Sequence, residues 1–517
     1  MPYDAQYGRT GGGVFSANVN GGTNARHGSV YDYLGNAFVN ANSWSNGLTN
    51  SPNGRSNRNT YGAESGGPIF KNKTFYYGSF EAFRQLNGTK TKDSVPPTAW
   101  LTGNFAGSGF TIYDPLSTYC SKPATGGGCT TYARKPFLND IIPASRISPI
   151  GQAILAMYPA PNISTGYIDN FLVSGDTTYS YTQFIGRLDQ SFSSNTRMYG
   201  MFTLQDDGMN TYGNGFNNAA KTSVLPTDRY YLAMLDLTHI FSSSIALDLK
   251  ASYGRDNNRS LNGKALQDNF LASKLGFNMP AVPTTPQQNI APVIVISGMT
   301  QLFGNTNPGN GIVNADFSGS VTQLIGRHNL HYGAEFLDIQ KYPTGFLGTP
   351  NGNFTFNGIY TRGNPFKAVT GQGNEVADVL LGYPAAGTIG WSEPTFLTTH
   401  YYGLFVQDDV KVLPKLTLNL GLRWDVYKTP RDRSNRMNAG FCLTCINPLG
   451  SQVNYAVAPG MQNPLTGGFQ FPGVDGVSST PFLVRWDNWQ PRFGLAWAVS
   501  PNTVVRAGYG VYKLLDG

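Results

Sequence analysis

Cys442 and Cys445 stand three positions apart, a spacing that could hold zinc or run thiol–disulfide chemistry. A structural zinc needs four ligands, and no second Cys-x-x-Cys or nearby histidine completes the set. The five histidines (His27, His239, His328, His331 and His400) are scattered along the chain. Cys120 and Cys129 make a second close pair around Gly126-Gly127-Gly128, a stretch flexible enough to close a ring. Two short disulfides in an oxidising compartment account for all four cysteines; metal or redox use and free thiols are the competing readings. Asp206-Asp207 and Asp408-Asp409 could be acid–base or calcium pairs, but adjacent strand residues point to opposite faces and cannot serve one substrate. Solvated strand ends explain them more simply. Gly11-Gly12-Gly13 lacks the Gly-Lys-Ser/Thr ending that grips a phosphate. With no supported Ser/His/Asp, Cys/His or paired-carboxylate arrangement, the expectation is no catalytic residue, no metal and no cofactor, hence not an enzyme.

The elements that carry these residues read as strands. From Lys415 to Tyr427, Leu416, Leu418, Leu420, Leu422, Trp424 and Val426 share one face, while Thr417, Asn419, Arg423 and Asp425 share the other. Ile245, Leu247, Leu249, Ala251 and Tyr253 alternate in the same way with Asp248, Lys250 and Ser252. Composition agrees: 62 glycines, 13% aromatic and only 13% charged residues, about half the usual charged fraction. No run approaches the roughly 20 apolar residues of a spanning helix. The net charge of +7 is not clustered as a nucleic-acid patch would be.

The connections discriminate further. Candidate strands meet across short turns at Ser193–Asn195, Ser242–Ser244, Arg327–Asn329, Leu413–Lys415 and Ser500–Asn502. Every second connection is instead a long excursion, about 90 residues after Gln85 and about 55–60 after Arg259, Tyr342 and Thr429, far beyond ordinary loop lengths. Short periplasmic turns alternating with long extracellular loops describe an outer-membrane barrel. Thirteen strands are expected, near 25–36, 56–67, 73–86, 179–192, 194–207, 226–241, 243–258, 316–327, 329–341, 397–412, 415–428, 488–499 and 502–513. Tyr76, Tyr77, Phe80, Tyr230, Tyr231, Tyr401, Tyr402, Trp424 and Tyr427 are expected to form interfacial girdles. Trp44, Trp391, Trp486 and Trp489 are the alternative, a sugar-stacking platform in the loops. The start, Met1-Pro2-Tyr3-Asp4, carries no signal peptide, and the last strand breaks off at Val511-Tyr512-Lys513 without a turn. Both lead us to expect a chain cut at its two ends.

Several segments resemble the Oar-like TonB-dependent receptors. Tyr7-Gly-Arg-Thr-Gly-Gly-Gly13 with Gly22-Thr-Asn24 and His27-Gly-Ser29 is similar to the junction of plug and first barrel strand in that family. Asn59-Thr-Tyr-Gly62, Gly66-Gly-Pro-Ile69 and Lys71-Asn-Lys-Thr-Phe75 resemble its second hairpin. Ile112-Tyr-Asp-Pro115, Ile141-Ile-Pro-Ala-Ser-Arg-Ile-Ser148 and Tyr158-Pro-Ala-Pro-Asn162 resemble its first large extracellular loop. Phe405-Val-Gln-Asp-Asp409 with Leu413–Arg423, then Pro491-Arg-Phe-Gly494 and Arg506-Ala-Gly-Tyr-Gly510, resemble its later hairpins. Ser16-Ala-Asn-Val-Asn20 departs from the more apolar strand usual there.

The resemblance implies an all-β, antiparallel transmembrane β-barrel with long extracellular loops, here about 13 strands of about 22 around an N-terminal plug. Residues 1–24 would be the end of the plug and 25–517 the N-terminal part of the barrel. The implied function is binding of an extracellular substrate of unknown identity, with unknown binding residues, for TonB-energised uptake across the Gram-negative outer membrane. The implied partners are outer-membrane lipid and the TonB complex, reached through an N-terminal segment outside this chain; nucleic acid is not among them. A non-transporting surface adhesion barrel and a passive porin-like channel are the rival readings.

Overall fold

The structure is a computed structural model that describes residues 4–9, 18–48, 50–163, 166–211, 224–262, 276, 292–303, 307–343, 347–392, 395–451, 465–480 and 483–513. Thirteen strands form one antiparallel wall in sequence order: β1 (His27–Asn36), β2 (Ser56–Phe70), β3 (Thr74–Asp93), β4 (Phe171–Ser191), β5 (Thr196–Asn210), β6 (Val224–Ser242), β7 (Ile245–Asn262), β8 (Asn307–Ile325), β9 (His328–Pro343), β10 (Leu397–Leu413), β11 (Leu416–Tyr427), β12 (Trp489–Ser500) and β13 (Thr503–Gly510). A two-residue segment, Arg431–Asp432, adds to the outer end of β10. Among the described residues β1 and β13 are the wall's two edges. The fold is all-β and the wall is that of a partial barrel.

All thirteen expected strands are present, with some limits moved. β3 runs on to Asp93 and β4 starts at Phe171, because Asn87–Asp93 pairs with Phe171–Thr177. β8 likewise begins at Asn307. The extensions of β3 and β4 carry no apolar alternation, as expected where a hairpin rises above the bilayer and no face meets lipid.

Register separates the two faces. Leu404 pairs with Trp424 and Val406 with Leu422; Leu420 pairs with Phe493; Phe317 pairs with Phe336. These residues point outward, and Leu420 and Leu422 are 43% and 38% exposed, as a lipid-facing surface requires. The opposite parity places Thr417, Asn419, Arg423 and Asp425 toward the lumen, with Arg423 and Asp425 fully buried. Val426 departs from the outward expectation: it is fully buried, because the chain entering β12 folds against that end of β11, where Asn488 accepts from the Asp425 backbone N–H.

The girdle also needs correcting. Tyr76, Phe80, Tyr231, Tyr402 and Trp424 lie on the outward parity. Tyr77, Tyr230, Tyr401 and Tyr427 lie on the lumenal one, since neighbours in a strand alternate. Trp486 and Trp489 gather on Trp424, with ring centroids 6.3 and 6.0 Å away, and so join the outer girdle. Trp44 is exposed, and the side chain of Trp391 lies outside the described residues.

The excursions are not bare loops. Residues from the first three pack into a cap with its own apolar core, including Val95, Trp100, Phe105, Ile112, Ile154, Leu155, Ile294, Leu302, Phe356, Val376 and Leu380. Val293–Ile296 pairs in parallel with Asn353–Phe356, joining the second excursion to the third. Helix α1 (Pro149–Leu155) starts at Ser148, whose hydroxyl accepts from the Gly151 N–H, with Pro149 fixing the first turn. Helix α2 (Glu375–Leu381) starts at Asn374, which accepts from the Val376 and Ala377 N–H groups, and stops at left-handed Gly382. The two helices touch at Gly151, where a Cβ would fall 2.1 Å from the Val379 carbonyl oxygen.

Candidate functional site

The lumenal face of β9 to β12 carries Glu335, Tyr401, Gln407, Arg423, Asp425, Gln490 and Arg492, and it holds residues 4–9. Arg423 and Asp425 share a face because they are two apart in β11. Asp425 accepts from Arg423 Nε at 2.8 Å, Tyr401 Oη at 2.6 Å and Gln490 Nε2 at 2.7 Å. Arg423 Nη2 donates to Glu335 at 2.9 Å. That leaves Nη1 to grip the strap: it donates to the carbonyls of Ala5 and Gln6 at 3.1 and 2.8 Å.

Other wall residues complete the grip. Gln407 accepts from the Ala5 N–H at 2.7 Å and donates to Asp4 at 3.2 Å. Arg492 donates to the carbonyl of Tyr7 at 2.7 Å and to that of Asp4. Arg9 reaches Glu335 at 2.7 Å. Ala5 is wholly buried. Gly8 and Gly403 flank the Arg423 guanidinium, and a Cβ on either would lie 2.2 or 2.6 Å from its nitrogens. A larger residue at either place would push the guanidinium off the strap.

A second contact lies further along. Arg187, paired with Asp189, donates to the Val19 carbonyl at 2.7 Å. Asn24 and Asn72 then bond twice, at 2.7 and 2.8 Å, tying the segment to the short β2–β3 turn. The chain thus crosses the lumenal face before entering β1. Residues 10–17, which include Gly11-Gly12-Gly13 and the start of Ser16–Asn20, lie outside the described residues.

The sequence-flagged chemistry does not converge. Cys120 is bonded to Cys129 and Cys442 to Cys445, in two separate exposed ribbons. Asp206 pairs outward with Arg229, while Asp207 faces inward and accepts from Gln205 at 2.9 Å. Asp408 takes His328 at 2.7 Å, and Asp409 takes Asn419 at 2.7 Å on the other face. His27, His239, His331 and His400 sit on four different strands, β1, β6, β9 and β10. Among the described residues no group of three or more His, Cys, Asp or Glu could hold a metal ion. The strap contacts escaped the sequence reading. Arg423 and Asp425 were legible as lumenal, but nothing in the pattern names the carbonyls of residues some 400 positions away.

In the cap, electrostatics are local. A bidentate pair with Arg146, at 2.8 Å for each bond, holds the Asp114 carboxyl below its ordinary range. Asp378 in α2 is fully buried, and burial pushes its carboxyl up to about 7. The Thr361 hydroxyl at 2.8 Å partly offsets that. Arg134 donates to the carbonyls of Ile359 and Tyr360 at 3.0 and 2.7 Å, fastening the first excursion to the third.

The chain matches no curated protein. Among solved structures it is similar to the outer membrane transporter YddB from Escherichia coli, with 9% identity, a TM-score of 0.48, and 98% of this chain covering 46% of that one. For the ferric enterobactin receptor of Pseudomonas aeruginosa the values are 12%, 0.43, 98% and 46%. For the siderophore receptor PirA from Acinetobacter baumannii they are 11%, 0.42, 95% and 43%. The chain therefore spans a little under half the length of these structures. The model of the outer membrane beta barrel domain matches residues 19–516. With nearly its whole length matched, and with an apolar outer face, a polar lumenal face, short turns at one end and long excursions at the other, this chain belongs to the outer membrane beta barrel domain family and resides in the outer membrane.

Proposed function

We propose that this chain forms part of a TonB-dependent transporter, which takes up an extracellular substrate by an energised movement of its plug. Residues 1–24 are then the end of the plug and 25–517 the barrel segment that follows. The observation that carries this reading is the strap. A segment N-terminal to the first wall strand lies along the lumenal face, gripped by Arg423, Arg492, Gln407 and Arg187. A passive pore has no use for such a segment, whereas a gated one needs a part that is held and can be released. The cap over the extracellular end supplies a surface on which a substrate could be caught. No reaction is assigned; the work is binding followed by forced conformational change.

The test is uptake in cells that produce the protein within its natural reading frame. Energised transport stops when the inner-membrane proton gradient is collapsed or TonB is deleted, while substrate binding at the surface persists. Uptake that is indifferent to both treatments would make the protein a passive channel; binding with no uptake would make it an adhesion barrel.

A further inference from the structure

Cys442 and Cys445 are joined on an extracellular ribbon, between β11 and β12, in which Gly440–Ile446 pairs with Thr466–Gln470. Regular pairing breaks between Cys442 and Ile446, so the disulfide occupies a bulge at the surface. Its two sulfurs are not equivalent. Cys445 is exposed and Cys442 half-buried, so a thiol arriving from outside meets Cys445 first. Cys442 Sγ accepts from the Cys445 N–H at 3.1 Å, and the Thr444 hydroxyl stands 3.9 Å from it. Both groups are donors, and donors stabilise negative charge on sulfur. Attack on Cys445 therefore expels Cys442 as a thiolate the ribbon already solvates, and such a sulfur leaves faster.

The other disulfide has the opposite surroundings. Cys120 is exposed and Cys129 half-buried, but Cys129 Sγ lies 2.9 Å from the Thr131 carbonyl oxygen and 3.6 Å from that of Lys122. Those oxygens repel the thiolate that attack on Cys120 would release. The flanks of the Cys442–Cys445 bond also define the visitor. Gly440–Ile446 and Thr466–Gln470 contain no charged residue, and Phe441, Leu443, Ile446 and Phe469 are exposed along them. Such a surface favours an apolar thiol over glutathione, whose carboxylates would find no cation on the ribbon.

We propose that this ribbon is a reversible covalent capture site for cysteine-containing peptides with apolar neighbours. The peptide thiol loses its proton to water and attacks Cys445 Sγ. One S–S bond forms while the Cys442–Cys445 bond breaks, and its electron pair leaves with Cys442. The Cys442 thiolate, three residues away, then attacks Cys445 Sγ in the mixed disulfide, restores the original bond and returns the peptide as its thiolate. The cycle needs no oxidant or reductant beyond the peptide thiol. In the test, the full chain, folded in detergent, is mixed with N-acetyl-phenylalanyl-cysteine amide or with glutathione at equal thiolate concentration. N-ethylmaleimide stops the exchange, and mass spectrometry maps the cysteines. The unaltered chain should carry the peptide on Cys445 and maleimide on Cys442. Opening should be roughly tenfold faster with the apolar peptide than with glutathione, given about 60 Å² of apolar surface covered on contact. Cys120–Cys129 should stay closed over the same period. Thr444→Val should slow opening roughly threefold by taking one donor from the leaving sulfur, while Ser121→Ala on the other ribbon should leave it unchanged. Peptide on Cys442, equal opening of both disulfides, or glutathione reacting as fast as the apolar peptide overturns the proposal, and each is read on the unaltered chain.

Discussion

Arg423→Ala should release the N-terminal strap while leaving the wall assembled. The side chain is wholly buried and donates to two strap carbonyls. A bond from a charged donor contributes about 1.5 kcal/mol or more, so losing two should ease local opening by about 3 kcal/mol, or about 100-fold. The same change strips Asp425 and Glu335 of a partner, but Gln490 and Tyr401 still donate to Asp425. Trypsin reports the opening through the bond after Arg9, whose side chain is held on Glu335 while the strap lies on the wall. Cleavage there should accelerate about 100-fold at trypsin concentrations where opening limits the population attacked. The heat-modifiable band of the folded barrel should persist at moderate temperature. Gly8→Val should act in the same direction by displacing the guanidinium. Cleavage unchanged in Arg423→Ala would mean that Arg492 and Gln407 alone hold the strap and that the central role of Arg423 is wrong. Accelerated cleavage that tracks loss of the folded band would make the network structural support, not a clamp.

Leu422→Arg should impair assembly into lipid by about 2–4 kcal/mol and Asn419→Arg by much less, because Leu422 faces outward and Asn419 the lumen; equal folded yields would refute the register. Peptide mapping under non-reducing conditions should recover Cys120–Cys129 and Cys442–Cys445 as separate linkages, and any cross-link between the two pairs would contradict the two-ribbon arrangement. Asp378 titrates more easily unfolded than folded, with its folded value near 7 against an ordinary 3.8. Its contribution to cap stability is therefore fullest below about pH 4, falls as pH rises toward 7 and is lost above it, by at most about 4 kcal/mol. Hydrogen exchange across α2 should become faster from pH 4 to pH 7 after correction for intrinsic rates. Asp378→Asn should flatten that slope, and a slope unchanged in the variant would assign it to another group.

How much could be read in advance depended on whether the signal was local. Alternation in segments such as Lys415–Tyr427 depends only on which face meets lipid, so strand existence and the short turns were legible. Where strands leave the bilayer that contrast disappears, which is why Asn87–Asp93 and Phe171–Thr177 read as loop although they pair. Tyrosine doublets misled for a related reason: Tyr76-Tyr77 and Tyr401-Tyr402 look like girdle, yet one member of each doublet must face the lumen, where Tyr77 donates to Glu64 and Tyr401 to Asp425. The cap was invisible because its core is assembled from short apolar runs on separate excursions, such as Val293–Ile296 and Val379–Leu381. Val95, Ile294 and Val376 have no common periodicity and meet only in three dimensions. The strap site was half legible, in the buried charges of Arg423 and Asp425 without their distant partners.

The way the cap is sewn also fixes when it can exist. Arg134 waits for the carbonyls of Ile359 and Tyr360, more than 220 residues later, and Ser148 waits for the Leu380 carbonyl. The chain-entropy cost of such closures grows only slowly with length, but the contacts need β4 to β9 to be threaded between them first. Until then Trp100 has only Phe105, Phe110 and Tyr167 of its own excursion against it, and the side of that core that α2 closes presents apolar surface to the outside or to whatever escorts it. Cap closure is therefore a late, all-or-none signal that nine wall strands are in place. In a pulse-labelling time course of insertion, protection of the first excursion should rise together with that of the third, well after its own flanking hairpin β3–β4 has become protected.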